Sequence, residues 1–462
     1  MNHIFKKIWN SALGRMVVTS ELAKNTVGGS GTVKKTADLN QNTLQHQTTI
    51  HLNVKPLLLA IVATMGSSVS WAGYICQNRA GDPVNFGSTS TGVFAFTCGA
   101  FSSASGDRSS ALGYISTAAG DNSSATGVFA LAQQKGATAV GGASDFNYYS
   151  PIDDGTKLLT INGIPVTATT LSTLSITKIN DVVVTPQNVG DFVNTLLHGG
   201  SVAFGKNSSV VGSQSIAIGD FSSTLGHSNV ALGEGSNATG YSNQALGLGS
   251  VAIGYVNQAA HTQSIAVGGY NNVTGNRAQA FGVENAAQND ESTAIGYQNT
   301  STGEASTTLG HGNRTMGNNS NAMGSNNFAH GIGSTAFGSA SGSDYSHFET
   351  DESKLISVAG IPVTASSKTY DSITEINGTP VAPDEVLEFI SKIQAGGNVA
   401  FANHSTTMGS QNLAMGQYSS AFGFNNRSKG LSSNALGRDN IASGEYGNAI
   451  GSWNTASGDY SS

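Results

Sequence analysis

Glycine recurs at every seventh position through the middle of this chain. From residue 205 to residue 338, eighteen of the twenty positions spaced seven apart are glycine, and the exceptions are His261 and Asn289. Glycine makes up only about 7% of an average protein, so chance does not produce such a row. A heptad coiled coil shares this period, but a glycine in every heptad would destabilise its helices by about 1 kcal/mol each. The repeat therefore indicates a solenoid of stacked coils.

Each glycine ends a short unit of alternating side chains. Residues 250–254, for example, read Ser-Val-Ala-Ile-Gly, and the residue two positions before the glycine is alanine in fourteen of the twenty units. Successive side chains of a strand point to opposite faces, so the residues one and three positions before the glycine should point away from the alanine. The glycine itself would supply a corner, through a positive φ or a close approach of two backbones.

The residue directly before each glycine indicates that the full repeat spans fourteen residues. It is apolar at Ile218, Leu232 and Leu246 in one phase, and at every fourteenth residue from Ile253 onward in the other. This change of phase predicts that, near residues 246–261, either the coils shift by half a turn or the face that packs inward changes. The alternative is that both half-turns are partly buried and the change has no structural consequence.

The same glycine spacing continues in two further blocks, with six glycines between positions 99 and 141 and eight between positions 409 and 458. Ser-Val/Ile-Ala-Ile-Gly units at fourteen-residue spacing resemble the YadA-like head of trimeric autotransporter adhesins, over roughly residues 91–142, 201–342 and 398–462. The resemblance implies an all-β fold, a left-handed parallel β-roll (solenoid) of 14-residue coils that assembles as a homotrimer.

The composition of a single coil also favours association between chains. Fourteen mostly small residues offer only two or three apolar side chains per coil, whereas ordering each residue costs about 1–2 kcal/mol. We therefore expect neighbouring chains to supply part of the core.

Two segments interrupt the repeats and are copies of one module. Residues 145–205 align without a gap with residues 342–402, and both contain the sequence Gly-Ile-Pro-Val-Thr-Ala. Each copy contains hairpin signals, the clearest of which is Asn377-Gly378. The segments resemble the head insert motif of the same family, which implies two small α+β inserts that project from the solenoid.

Each insert ends in a predicted amphipathic helix. In the first copy Thr185 is the expected N-cap, Pro186 is the first helical residue, and Gly199 ends the helix. The predicted apolar stripes consist of Val189, Phe192, Val193, Leu196 and Leu197 in the first copy, and of Val386, Phe389, Ile390 and Ile393, between Pro383 and Gly396, in the second. We interpret both stripes as packing surfaces, and a peptide-binding groove is the alternative.

The N-terminus has the features of an export signal. Residues 1–55 carry seven basic and two acidic side chains, and the apolar run at residues 56–65 is too short to span a bilayer. A small-x-small sequence predicts cleavage between Ala72 and Gly73; a buried core segment is the alternative. Residues 1–24 resemble the extended signal-peptide region of Gram-negative autotransporters, which implies secretion through the inner membrane and display at the cell surface, on the outer membrane.

Charge and cysteine content narrow the choice of partners and compartment. After residue 72, 14 basic and 26 acidic residues remain, a net charge of −12. Binding to a phosphate backbone needs a basic footprint, so we expect no nucleic-acid partner. The only cysteines are Cys76 and Cys98. In an oxidising compartment they could form one disulfide, and two free buried thiols are the alternative.

The pattern of reactive residues does not indicate catalysis. The ten histidines are scattered, no Cys-x-x-Cys occurs, and the loops carry Asn, Ser and Thr where a calcium-binding solenoid carries Asp. The glycine-rich residues 247–252 lack the following helix of a dinucleotide site. We therefore expect no enzymatic activity, no cofactor and no metal. A β-helix enzyme acting on polysaccharide is a weaker alternative that would need a cluster of carboxylates or histidines along one face.

A candidate ligand-binding segment follows from the resemblance. Heads of this family bind matrix proteins such as collagen through Asn-Ser-Val-Ala-Ile-Gly-x-x-Ser units, and the nearest match here has Gln for Asn and Ile for Val. The candidate residues are Gln214, Ser215, Ile216, Ala217, Ile218, Gly219 and Ser222. The alternative is that these units are scaffold only.

Together these patterns predict the organisation of the chain. The predicted segments are an extended signal peptide at 1–72, an N-terminal segment with head repeats at 73–142, a first insert at 143–200, head repeats at 201–342, a second insert at 343–397 and head repeats at 398–462. We expect the head of a surface adhesin that mediates attachment to host extracellular matrix or cells and autoagglutination. The alternative is a non-adhesive solenoid spacer that displays other domains. We also expect the chain to be a fragment, whose only link to the membrane would be a C-terminal anchor that it lacks.

Overall fold

The computed structural model describes residues 5–10, 15–20, 74–76, 87–143 and 151–462. The chain divides into two compact units between Ser70 and Trp71. In the first unit, strands Phe5–Asn10 and Arg15–Ser20 form an antiparallel pair. The predicted cleavage site and the apolar run before it lie outside the described residues. In the part of the chain that the structure describes, no helix has the length and apolar character needed to cross a membrane.

The second unit is a parallel β-solenoid, which confirms the predicted all-β fold. Each coil contributes one strand to each of two parallel sheets. Strands of neighbouring coils pair at an offset of fourteen residues, except across the inserts and at the first pair, where Tyr74 lies opposite Phe96. Ala252, for example, lies between Ala238 and Ala266. We call the two sheets the long-strand sheet, with strands of up to five residues, and the short-strand sheet, with strands of two or three. Within the described residues each sheet contains nineteen strands.

The strands of the long-strand sheet are Tyr74–Ile75, Phe96–Cys98, Ser110–Leu112, Ser124–Thr126, Thr138–Val140, Ser209–Ser213, Ser223–His227, Asn237–Tyr241, Val251–Tyr255, Ile265–Gly269, Gln279–Val283, Thr293–Tyr297, Thr307–His311, Asn321–Ser325, Thr335–Gly338, Thr406–Ser410, Ser420–Phe424, Asn434–Arg438 and Asn448–Ser452. The strands of the short-strand sheet are Thr89–Ser90, Ser103–Ala104, Thr117–Ala118, Ala130–Ala132, Ser201–Ala203, Ile216–Ala217, Val230–Ala231, Gln244–Ala245, Gln258–Ala259, Asn272–Val273, Ala286–Ala287, Thr300–Ser301, Arg314–Thr315, Phe328–Ala329, Val399–Ala400, Leu413–Ala414, Arg427–Ser428, Ile441–Ala442 and Thr455–Ala456.

The interior of each coil is a narrow column of small side chains. The alanine two residues before the glycine points inward and is fully buried, as at Ala217, Ala252 and Ala266. The residue two positions earlier is also buried, and it is serine in most long-strand half-turns. The strand alternation that the sequence predicts therefore holds, and the residues one and three positions before each glycine lie on the outer faces.

In the short-strand half-turns the corresponding inward residue is asparagine through thirteen successive coils, beginning at Asn229. We call this row the asparagine ladder. Asn257 Nδ2 donates to Asn243 Oδ1 over 2.9 Å. The same amide donates to the carbonyl oxygens of Ile253 and Gly268 over 3.0 and 2.8 Å. These bonds satisfy polar groups that the coil shields from water. The ladder was not predicted from the sequence, although the asparagine that recurs every fourteenth residue from Asn229 is visible there.

The glycines of the two half-turns are needed for different reasons. In the long-strand half-turns the backbone is left-handed: Gly254 has a φ of +120°, and a Cβ there would lie 2.0 Å from the carbonyl oxygen of Gly268. In the short-strand half-turns glycine is needed because there is no room for a side chain: a Cβ on Gly219 would lie 2.2 Å from the carbonyl oxygen of Gly233. A further left-handed residue follows two positions later and is usually not glycine, as at Val256 with a φ of 53°.

The change of apolar phase between Leu246 and Ile253 leaves the register of the coils unbroken, so the predicted shift by half a turn is wrong. Gly254 pairs with the matching glycines of the coils on either side. The apolar residues of the short-strand half-turns from Ile218 to Leu246 pack instead against the first insert. The long-strand position is already apolar at Val211 and Leu225, so what ends at Leu246 is the set of apolar short-strand residues beneath the insert.

Both inserts are five-stranded antiparallel sheets followed by one α-helix. The elements of the first insert are Pro151–Asp153, Leu158–Ile161, Ile164–Ala168, the 3-10 turn Thr173–Ser175, Ile176–Ile179, Val182–Val183 and helix α1, Pro186–Leu197. Those of the second are Phe348–Thr350, Leu355–Val358, Ile361–Ala365, the 3-10 turn Tyr370–Ser372, Ile373–Ile376, Thr379–Pro380 and helix α2, Pro383–Gln394. Strands adjacent in sequence are adjacent in each sheet.

The start of α1 agrees with its sequence signals, but its end does not match the predicted apolar stripe. The hydroxyl of Thr185 accepts a hydrogen bond from the Asn188 N–H over 3.3 Å, and Pro186 is the first helical residue. The structure corrects one stripe residue: Leu197 is 38% exposed. It is the last residue of the helix and lies beyond the apolar cluster that buries Phe192.

Local signals also define the second insert. The backbone at Asn377 and Gly378 is left-handed, with φ of 47° and 75°, and this turn joins two antiparallel strands, as the hairpin signal predicts. At the start of α2 the Glu385 carboxylate accepts a hydrogen bond from the Ala382 N–H over 2.8 Å. This bond satisfies a backbone donor that lies outside the helical hydrogen-bond pattern.

Cys76 and Cys98 form a disulfide, so the alternative of two free thiols does not apply. Cys98 ends strand Phe96–Cys98, which pairs with strand Tyr74–Ile75 directly before Cys76. The bridge therefore ties together two neighbouring long strands near the start of the solenoid.

Candidate interaction surfaces

A row of apolar side chains, exposed or half-buried in the single chain, runs along the outer face of the long-strand sheet. We use the name apolar row for the following residues, each of which directly precedes a long-strand glycine: Val211, Leu225, Ile253, Val267, Phe281, Ile295, Leu309, Met323, Phe337, Met408, Phe422, Leu436 and Ile450. In the single chain Leu225 is 53% exposed and Ile450 is 66% exposed. Apolar patches of this extent mark contact surfaces in soluble proteins. The long-strand face is therefore suited to packing against another chain.

The first insert packs on the short-strand sheet through apolar side chains. One cluster joins Phe192 of α1 to Phe204 and Ile218 of the solenoid. The rings of Phe192 and Phe204 meet edge to face, with centroids 5.9 Å apart. The hairpin turn adds one polar contact, in which Asn180 Nδ2 donates to the Leu232 carbonyl oxygen over 2.9 Å.

This insert covers Ile216 and Ile218 of the segment that the sequence predicts for ligand binding. The buried candidates are Gln214, Ser215, Ile216, Ala217, Ile218, Gly219 and Ser222. Ile216 and Ile218 belong to the cluster beneath the insert, whereas Ala217 points into the coil. In this conformation their side chains are shielded from a macromolecular ligand. Binding through this segment stays a prediction.

The second insert occupies the equivalent place on later coils but adds ion pairs. Glu388 of α2 lies 3.2 Å from Arg314 Nη1 and 3.0 Å from Lys392 Nζ. His330 Nε2 lies 3.4 Å from the Glu385 carboxylate. Arg314 lies on a solenoid strand, so the pair with Glu388 bridges the insert and the coils.

Two cations from a later coil complete this contact. Arg427 Nε donates to the Ala359 carbonyl oxygen over 2.7 Å, and Lys429 Nζ donates to the Gly360 carbonyl oxygen over 2.5 Å. Burial lowers the pKa of the Arg427 guanidinium and of the Lys429 ammonium group. The aligned positions beneath the first insert hold valine and leucine. The second insert therefore contacts charged side chains of the solenoid at positions where the first insert contacts apolar ones.

Between the two inserts the short-strand face is uncovered, and we call this stretch the inter-insert window. Its outward residues are Gln244, Gln258, Asn272, Ala286 and Thr300, with Ala260, Thr274, Gln288 and Thr302 beside them. None of these side chains is charged. Tyrosines line one edge: the rings of Tyr241 and Tyr255 stack with centroids 5.2 Å apart, and Tyr270 meets Tyr255 edge to face at 5.2 Å.

Two family models match parts of the chain. The extended signal peptide of type V secretion systems matches residues 1–44. The YadA head domain repeat matches residues 104–130, 199–222, 245–271, 287–313 and 442–462. The chain belongs to the trimeric autotransporter adhesins. No curated protein matches the adhesin.

The matches confirm the predicted localisation and the role of the solenoid. The adhesin is secreted and displayed on the outer-membrane surface of a Gram-negative bacterium. Its coils form the head, and head repeats of this kind belong to a family that is homotrimeric in general.

Among the residues that the structure describes, no group of three His, Cys, Asp or Glu side chains is placed to hold a metal ion.

Proposed function

We propose that the adhesin head mediates attachment to host extracellular matrix or to host cells, together with autoagglutination of the bacteria. The observation that supports this function is the regular spacing of its outward side chains, because each outer position recurs once per coil at about 4.8 Å. Such a surface fits an extended or multivalent ligand better than a small substrate. The head acts by binding and catalyses no reaction.

Three copies of the chain would associate through the apolar row. The interior of each coil is mostly alanine, serine and asparagine, so burial inside one chain stabilises the fold only modestly. Each square ångström of apolar surface removed from water contributes about 25 cal/mol. Packing the apolar row of each chain against its neighbours would therefore add the stabilisation that a single coil lacks.

The test of attachment uses the exported chain, residues 73–462, joined to a trimeric coiled coil. It is titrated over immobilised fibrillar and basement-membrane matrix proteins and over host cells, with serum albumin as the control surface. The expected result is saturable binding to at least one matrix protein or cell type, and clumping of bacteria that display the head. Attachment is the wrong function if every surface gives only the binding seen on albumin.

A non-adhesive spacer is the second candidate, and the burial of the seven candidate binding residues, Gln214 to Gly219 and Ser222, favours it. A spacer would only hold other domains at a distance from the cell. Replacing the head by an unrelated solenoid of equal length would then preserve the activity of whatever the adhesin displays, whereas an adhesive head could not be replaced in this way.

A further inference from the structure

We propose that the inter-insert window binds a neutral oligosaccharide chain, with Tyr270 and Gln258 as its central contacts. The inference rests on the proposed attachment function and assigns a ligand class and a site to it. It concerns a part of the solenoid outside the segment from Gln214 to Ser222, whose Ile216 and Ile218 lie beneath the first insert.

A groove lies at the tyrosine edge of the window. Its volume is about 360 Å³, and its exposed lining consists of Ser242, Gln244, Val256, Gln258, Tyr270 and Asn272. These residues come from three successive coils. The groove is therefore elongated in the direction in which the coils stack, and equivalent positions recur at about 4.8 Å.

The amide side chains supply matched donors and acceptors. Gln244, Gln258 and Asn272 occupy the same position on three neighbouring short strands, and Gln258 Nε2 lies 3.4 Å from Gln244 Oε1. An amide carries one carbonyl acceptor and two N–H donors, with the oxygen and the nitrogen bonded to the same carbon. Such a group can bind two neighbouring hydroxyls of a sugar ring at once, and a row of them can bind successive sugars.

Tyr270 supplies the apolar wall. Its ring is 53% exposed, and the edge-to-face contact with Tyr255 holds it beside the groove. A tyrosine ring presents a large, rigid apolar surface at a small loss of side-chain entropy, and its hydroxyl adds a polar contact. The C–H face of a sugar ring is the natural complement of such a surface.

The absence of charge in the lining selects a neutral ligand. The lining of the groove contains no Asp, Glu, Lys, Arg or His side chain. The carboxylate next along the tyrosine edge belongs to Glu284, which accepts a hydrogen bond from Gln298 Nε2 over 2.7 Å. A sulfated or carboxylated glycan would find no cation in this lining, and Glu284 would repel it.

The test uses the exported chain on a trimeric coiled coil and the variants Tyr270→Asn and Gln258→Ala. Asparagine tolerates the left-handed backbone of Tyr270, whose φ is 56°, so the first variant keeps the corner intact. Tyr418→Asn is the matched control, since Tyr418 has a φ of 57° and is 55% exposed but lies outside the groove. The probes are chitotetraose, cellotetraose and lacto-N-neotetraose, with a heparin fragment as the anionic comparison.

The expected result is saturable binding of at least one neutral probe, weakened at least tenfold in Tyr270→Asn and in Gln258→Ala and less than twofold in Tyr418→Asn. The proposal is overturned if no neutral probe binds, if heparin alone binds, or if the two groove variants bind like the control. Adhesion of the same proteins to matrix and cells is measured in parallel. Equal adhesion by wild type and Tyr270→Asn would show that the groove does not contribute to adhesion, and the proposed attachment function would still hold. No adhesion by the wild type would contradict the proposed attachment function itself.

Discussion

Asn327 and Asn398 are direct neighbours in the asparagine ladder although 71 residues separate them in the chain. The Asn398 amide donates to Asn327 Oδ1 over 2.9 Å, and the strands that follow the two residues pair as Phe328 opposite Val399. The ladder therefore passes through the insertion point of the second insert without a gap. The insert is an excursion from one coil, and the coils on both sides keep a common register.

Replacing one member of the ladder should destabilise the solenoid strongly. In Asn285→Leu the Gly296 carbonyl oxygen loses the amide donor that now lies 2.7 Å away, and the Asn299 backbone N–H loses the amide oxygen that it now reaches over 3.1 Å. Buried polar groups left without a partner cost about 1–3 kcal/mol each, so we expect a loss of about 3 kcal/mol in the free energy of unfolding. Urea denaturation of the head measures it. The control is Asn272→Leu on the exposed face of the same coil, and equal midpoints for the two variants would contradict the role of the ladder.

Relieving a left-handed corner should stabilise the head. Val256 has a φ of 53°, a conformation that is unfavourable for a β-branched residue and tolerated by asparagine. We expect Val256→Asn to raise the free energy of unfolding by about 1 kcal/mol. Thermal and urea unfolding check the gain. Val251→Asn, in the extended strand of the same coil, should show no such gain, because asparagine is disfavoured in strands; a gain there of similar size would refute the explanation from backbone strain.

Removing the charge of Glu388 should loosen the second insert alone. Glu388→Gln removes the nearest carboxylate from the half-buried Arg314 and from the buried Lys392, and breaking a buried ion pair is destabilising by about 3 kcal/mol. Hydrogen exchange of residues 343–397 should become faster while residues 143–200 are unchanged. Asp191→Asn is the aligned control in the first insert.

Asp191→Asn should not loosen the first insert as Glu388→Gln loosens the second, because burial raises the pKa of the Asp191 carboxyl group. A raised pKa in the folded state means that the contribution of this group to stability is greatest below its unfolded pKa and is lost as the pH rises through the folded value. At neutral pH, Asp191→Asn should therefore leave the first insert unchanged or slightly more stable. If Glu388→Gln and Asp191→Asn accelerate hydrogen exchange equally in their inserts, the ion pairs of Glu388 are not what distinguishes the second insert from the first.

The apolar row should determine the assembly state. Leu309 is 44% exposed in the single chain, so Leu309→Glu should leave the coil folded but place a charge in the contact between chains. Light scattering at micromolar concentration should give three chains for the wild type and for Thr300→Glu on the short-strand face, and one chain for Leu309→Glu. A folded wild-type monomer, or a trimer of Leu309→Glu, would show that the apolar row is not the contact.

The sequence by itself determined the parts of this protein that depend on short-range geometry. The glycine spacing and the alternation around residues such as Ala252 specify the coil, because strand pleat and left-handed corners act within a few residues. Likewise Thr185 and Pro186 predict the start of α1, and Asn377 predicts a hairpin. Only the tertiary structure decided which outer face is covered, because each insert folds back onto coils distant in sequence. This burial explains why Ile218 is apolar, and it could not be read from the period of the repeat.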